Sequence, residues 1–106
     1  MISAKEARKK TDDINIKKND IAMSFAKNEW EHYIEPKIEA AVENGDYKCE
    51  YFWCASVFEE MGIDYIKFVN QLVALAVSLG YKIKPDYDYL MFNFQKLTVR
   101  ISWRNE

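Results

Sequence analysis

The sequence predicts an α+β fold: an antiparallel sheet of about four strands, with helices packed on one face and a helical N-terminal half. Three observations carry that expectation. Apolar residues recur at helical spacing through residues 23–42 and again through 65–79. Apolar and polar residues alternate in later stretches beginning at Tyr47, Tyr81 and Leu97. Too little helix separates those stretches to build a repeated βαβ unit, so the strands should pair antiparallel. With 106 residues, 49% of them hydrophobic, residues 1–106 are expected to form a single domain around a modest core.

The first element is short. Ser3-Ala4-Lys5-Glu6 fits a capping box, in which a serine hydroxyl caps a free amide and a glutamate three residues on reaches back. A helix over residues 4–10 should follow. Residues 11–19 are polar and rich in Asp and Asn, and they read as a break or a loosely helical bridge. Only Ile2, Ala4 and Ala7 could bury this opening helix, so residues 1–18 are expected to be mobile or to serve assembly. Asn19 or Asp20 can cap a second helix. Its apolar positions are Met23, Ala26, Trp30, Tyr33, Ile34, Ile38, Ala41 and Val42. Pro36 lies inside that pattern. It has no amide hydrogen and its ring crowds the preceding turn, so a kink is expected near Glu35. Gly45 marks the end of this helix.

Residues 47–53 read as a strand, with Tyr47, Cys49, Tyr51 and Trp53 on one face and Lys48, Glu50 and Phe52 on the other. Residues 55–62 suit a helical turn or two closed by Gly62. Asp64 can cap the next helix, on which Phe68, Leu72, Leu75 and Leu79 form the apolar stripe. Gly80 ends it, and Tyr81 is placed for the apolar contact of a Schellman motif. Residues 81–84 alternate as a strand and Pro85-Asp86 reads as a turn. Residues 89–94 and 97–103 then read as a hairpin with its connection at 93–96. In the last strand Leu97, Val99, Ile101 and Trp103 should face inward, and Thr98, Arg100, Ser102 and Arg104 outward.

Charge excludes some functions. The net charge is −2, but residues 1–18 carry six basic and three acidic groups, and residues 29–64 carry two basic and ten acidic groups. An acidic middle argues against duplex DNA as a partner. The longest apolar run, residues 72–77, is far too short to span a bilayer, so no membrane partner is expected. Residues 1–10 lack the apolar core of a secretory signal. Cys49 and Cys54 stand at neither redox nor zinc spacing and read as thiols in a reducing, cytoplasmic setting.

No cofactor is expected. The three glycines, at 45, 62 and 80, are isolated and form no phosphate loop. His32 is the single histidine and has no visible orienting partner. Cys49 belongs to an apolar strand face, which favours burial over catalysis. Asp86 and Asp88, two apart, could hold a divalent cation only if further ligands converged. The aromatic content is the unusual feature: six Phe, seven Tyr and three Trp. Rings on a sheet face can stack on a nucleobase with arginines near a phosphate, and they can equally fill a core or an oligomer interface. Tyr51, Trp53, Tyr89, Arg100 and Arg104 are the candidate ligand-binding residues on this reasoning, with Trp53 equally suited to the core.

Several phrases carry a resemblance. Met1-Ile2-Ser3-Ala4-Lys5-Glu6-Ala7-Arg8, Ile38-Glu39-Ala40-Ala41-Val42-Glu43-Asn44-Gly45, Leu79-Gly80-Tyr81-Lys82-Ile83 and Ile101-Ser102-Trp103 together resemble small accessory proteins of phages and prophages of Gram-positive bacteria. That resemblance implies a non-enzymatic binding protein acting in the host cytoplasm. It would antagonise a host defence function by sequestering a small nucleotide-like signal or by occluding a host protein, commonly as a homo-oligomer. A minor virion part is the alternative, and a small metal-dependent enzyme using Asp86, Asp88 and His32 is another.

Overall fold

One long helical run organises the molecule. α1 spans Ala4–Glu29, passes through a π-helical turn at Trp30–Ile34, and continues as α2, Glu35–Glu43. β1 (Lys48–Cys54), α3 (Ala55–Met61), α4 (Tyr65–Ser78), β2 (Lys82–Leu90) and β3 (Asn93–Ser102) follow. This computed structural model describes residues 1–104. The three helical segments have 26, 5 and 9 residues. At about 1.5 Å per residue they reach roughly 60 Å, which matches the 62 Å long axis.

The serine half of the expected capping box is present: the Glu6 amide donates to Ser3 Oγ at 3.2 Å. The expected break at residues 11–19 is absent. That stretch holds neither proline nor glycine, and polarity alone does not stop a helix. The Thr11 hydroxyl is satisfied within the helix by donating to the Ala7 carbonyl at 2.9 Å.

Pro36 produces a π turn. The Glu35 amide donates to the Trp30 carbonyl, one residue further back than in an α-helix. In an unbroken α-helix the Pro36 ring would crowd the carbonyl four residues back, that of His32, and the turn before the proline is widened instead. It also serves packing. Ala22, Ala26, Trp30, Ile34 and Ile38 are all buried. Such four-residue steps drift about 40° each around an α-helix, and an extra residue in one turn rotates the row back toward the core.

The sheet has three strands, in the order β1-β3-β2, all antiparallel. The fourth expected strand does not exist separately, because β2 runs straight through Pro85 and Asp86. Pro85 is tolerated because β2 is an edge strand, where a missing amide costs little. The hairpin turns at Met91 and Phe92, between the paired Leu90 and Asn93. Residues 93–96, expected as the connection, open β3 instead. Gln95 is the extra residue of a bulge opposite Asp88 and Tyr89.

Helices cover one face of the sheet. Leu97, Val99 and Ile101 of β3 are fully buried there against Phe68, Leu72 and Ala76 of α4 and Ile34 of the π turn. The caps around α4 are as expected: Ile66 donates to Asp64 Oδ1 at 2.9 Å, and the Tyr81 amide closes a Schellman bond to the Ala76 carbonyl at 3.0 Å. Among the described residues, no helix is long and apolar enough to cross a membrane.

Candidate functional site

The second face of the sheet is open. The polar phase of each strand points there: Lys48, Glu50 and Phe52 on β1, Lys82 and Lys84 on β2, and Arg100 on β3 are all exposed. Register brings the cations together. Lys48 and Lys82 flank Ser102, while Glu50 and Lys84 flank Arg100. With strands about 4.8 Å apart, the two lysines flanking Ser102 stand roughly 10 Å apart at the backbone.

Arg104 leaves the end of β3 at the same corner, with its guanidinium 5.4 Å from the centre of the Tyr47 ring. That cation–π contact restrains a side chain that lies beyond the last strand. The Trp103 amide donates to the Tyr47 carbonyl at 3.1 Å, tying this corner to the start of β1. Two shallow concavities lie here. One of about 440 Å³ is lined by Tyr47, Lys48, Lys82, Ser102 and Arg104, with Gly45 and the carboxylate-bearing Asp46 also on its wall. The other, of about 300 Å³, has Lys84 and Arg100 on its wall and shares Lys48, Lys82 and Ser102 with the first.

The cations differ in availability. Arg100 is engaged from both sides: Nε donates to Glu50 Oε1 at 3.0 Å, and Nη1 lies 3.5 Å from Asp86 Oδ2. Lys48, Lys82 and Lys84 make no ion pair among the described residues. Three like charges anchored on neighbouring strands of one sheet face raise the local positive potential, and an anion lying between them is favoured. The Tyr47 ring at the edge offers an apolar platform beside the charges. Chemically, the corner can hold a small anion carrying an aromatic or sugar moiety.

The five residues singled out from sequence do not form one site. Arg100 lies on the open face, as its phase required, and Arg104, beyond the end of β3, lies at the corner of that face. Tyr51 and Trp53 face the helices. Tyr51 is half-buried, stacked on Tyr33 with centroids 6.0 Å apart and edge-on to Trp53 at 4.8 Å. Burial, with Glu29 nearby, pushes its phenol above the ordinary range. Trp53 is only 3% exposed and belongs to the core. Tyr89 sits near the hairpin turn, its hydroxyl 3.2 Å from that of Tyr65. Reasoning from aromatic crowding missed Lys48, Lys82, Lys84 and Tyr47. The signal for the lysines was the polar phase of the strands, which gains meaning only once β1 and β2 are known to flank β3; Tyr47, expected on the apolar strand face, instead precedes β1 and escapes its phase.

A larger concavity, of about 900 Å³, lies where α3 and the start of α4 meet the start of β3. Phe58, Tyr65 and Phe94 supply its apolar wall, with Tyr65 stacked on Phe94 at 3.9 Å. Glu59 and Asp64 are its charged lining residues, so it does not suit an anion. The hydrogen bond between the Tyr65 and Tyr89 hydroxyls pushes the Tyr65 phenol up to about 12.

No family model matches this chain, and neither a curated protein nor a solved structure matches it.

The residues considered for catalysis are dispersed. His32 Nδ1 is 2.9 Å from the Asn28 carbonyl on the helical layer. Asp86 and Asp88 lie in β2, with Asp86 paired to Arg100 and Asp88 3.7 Å from Lys96 Nζ. The Cys49 thiol is raised by burial, which disfavours the nucleophilic thiolate. Among the described residues, no three His, Cys, Asp or Glu side chains cluster to hold a metal.

Proposed function

We propose that this chain is a non-enzymatic, phage-type binding protein that works as a homo-oligomer and antagonises a host defence function by sequestering a small nucleotide-like anion. The observation that carries this reading is the cationic corner of the open sheet face. Lys48, Lys82 and Lys84 share that face without ion-pair partners among the described residues, beside Tyr47 and Arg104, with Asp46 as an acid on the same lining. A phosphate between the lysines and a base or sugar against the tyrosine would satisfy both halves of the site. Sequestration needs only tight, unreactive binding, and the corner supplies charge and an apolar edge without a nucleophile.

Calorimetric titration with ATP, a cyclic dinucleotide and inorganic pyrophosphate tests this. At least one nucleotide should bind, more tightly than pyrophosphate, and be recovered unchanged. The Lys48→Ala/Lys82→Ala variant should bind it roughly tenfold to a hundredfold more weakly. Failure of every probe, or equal binding by the variant, contradicts the reading.

A second reading, occlusion of a host protein, draws on the hairpin turn. Leu90, Met91 and Phe92 are consecutive and 67%, 86% and 101% exposed. Three large apolar side chains at a tip fit an anchor for a partner's apolar pocket. Binding of a host protein that is lost on Phe92→Ala but kept in Lys82→Ala would favour occlusion over sequestration.

A further inference from the structure

The N-terminal part of the long helix stands clear of the body. Residues 1–18 are exposed throughout except for the partly buried Ala7. The radius of gyration is 16.6 Å, against about 13 Å for a compact chain of this size. A free helical stretch of this length is marginal in water unless something packs against it.

The charge along the run says what can. Residues 1–18 carry six basic and three acidic side chains, net +3. Residues 29–46 carry six acidic side chains and Lys37, net −5. A helix that is basic at one end and acidic at the other complements an antiparallel copy of itself. A two-fold axis near its middle lays each basic end along the other copy's acidic end.

One stripe of the helix fits this arrangement residue by residue. Lys5, Lys9, Asp12, Ile16, Met23 and Lys27 follow one another at helical steps, and all are exposed. They lie to one side of the face formed by Ala22, Ala26 and Glu29, which are buried against the body. We propose that two copies of this chain pair antiparallel through these stripes, around an axis beside Asn19 and Asp20. Ile16 then meets Met23 of the second copy, Asp12 meets its Lys27, Lys9 its Glu31 and Lys5 its Glu35. Ile16 and Met23, 59% and 50% exposed in the single chain, become the apolar centre. Glu31 and Glu35, both exposed, complete the charged flanks. The pairing deepens the homo-oligomer part of the function proposed above and does not depend on its ligand.

Charge exchange tests it. In sedimentation velocity the unaltered protein should be a dimer whose association weakens as added salt shortens the Debye length. The Lys5→Glu/Lys9→Glu variant and the Glu31→Lys/Glu35→Lys variant should each self-associate roughly a hundredfold more weakly. An equimolar mixture of the two should restore the dimer, because each reversed end then meets a complementary one. Hydrogen exchange should show residues 4–18 protected in the unaltered dimer and unprotected in either variant alone. A monomer at every concentration overturns both this pairing and the homo-oligomer reading. A dimer indifferent to both reversals, or a mixture that fails to restore it, overturns this interface and leaves that reading standing.

Discussion

Glu29 is the buried charged residue among those described, 6% exposed, and its Oε1 accepts from Trp53 Nε1 at 2.8 Å. That bond explains why a tryptophan lies deep in so small a core: its one polar atom has a charged partner. Trp53→Phe should cost about 2–4 kcal/mol in urea denaturation, because it leaves a buried carboxylate without its donor. Glu29→Gln should cost about 1 kcal/mol, since the amide oxygen still accepts. Equal losses would contradict this assignment. The inward phase of Trp53 was legible from the alternation of residues 47–53. Its partner was not, because Glu29 is 24 residues away on another element. Tyr65 carries a pH signature. Its folded pKa, about 12, exceeds the ordinary 10 through the bond to Tyr89. The neutral form is therefore favoured in the folded state, and its contribution is present below pH 10 and lost as pH rises toward 12. The drop in melting temperature between about pH 10 and about pH 12 should shrink in Tyr89→Phe; an unchanged drop would place the sensitivity elsewhere.

At the scale of elements, the two hairpin strands show where sequence reasoning stops. Met91 and Phe92 form the turn although neither is a turn former, and Met91 holds φ at +55°. Proline and aspartate at 85 and 86 suggested an extra turn inside what is one strand, and the hairpin connection was expected at 93–96, past the real turn, because local chemistry cannot tell an edge strand from a loop. Pro85 became readable only once β2 proved to be an edge. A left-handed methionine carries strain that glycine lacks, so Met91→Gly should raise stability by about 0.5–1 kcal/mol, read as a higher melting temperature. A loss of stability would mean that the side chain packs on the body. The same holds for the long helix. Its caps and apolar face were visible, while its continuity through residues 11–19 was not, since composition marks a helix stop only through glycine and proline. Pro36, which does mark one, produced a π turn because the row from Ala22 to Ile38 needed an extra residue to stay on the core.

At the scale of the molecule, helices close one face of the sheet and leave the other to solvent, and the cations gather at one corner of the open face. The fold class and the helical layer followed from periodicity. The corner did not, because Lys48, Lys82 and Lys84 come from two strands that are neighbours only through β3. The 62 Å axis likewise comes from joining segments that read as separate. Capture of a small anion at the corner is the central claim, and native mass spectrometry of the protein after incubation with lysate from defence-activated host cells tests it most directly. The unaltered protein should gain a few hundred daltons that are released as an intact nucleotide-like compound, and Lys48→Glu/Lys82→Glu should gain nothing. The same mass on the charge-reversed variant, or no added mass on the unaltered protein, would contradict it.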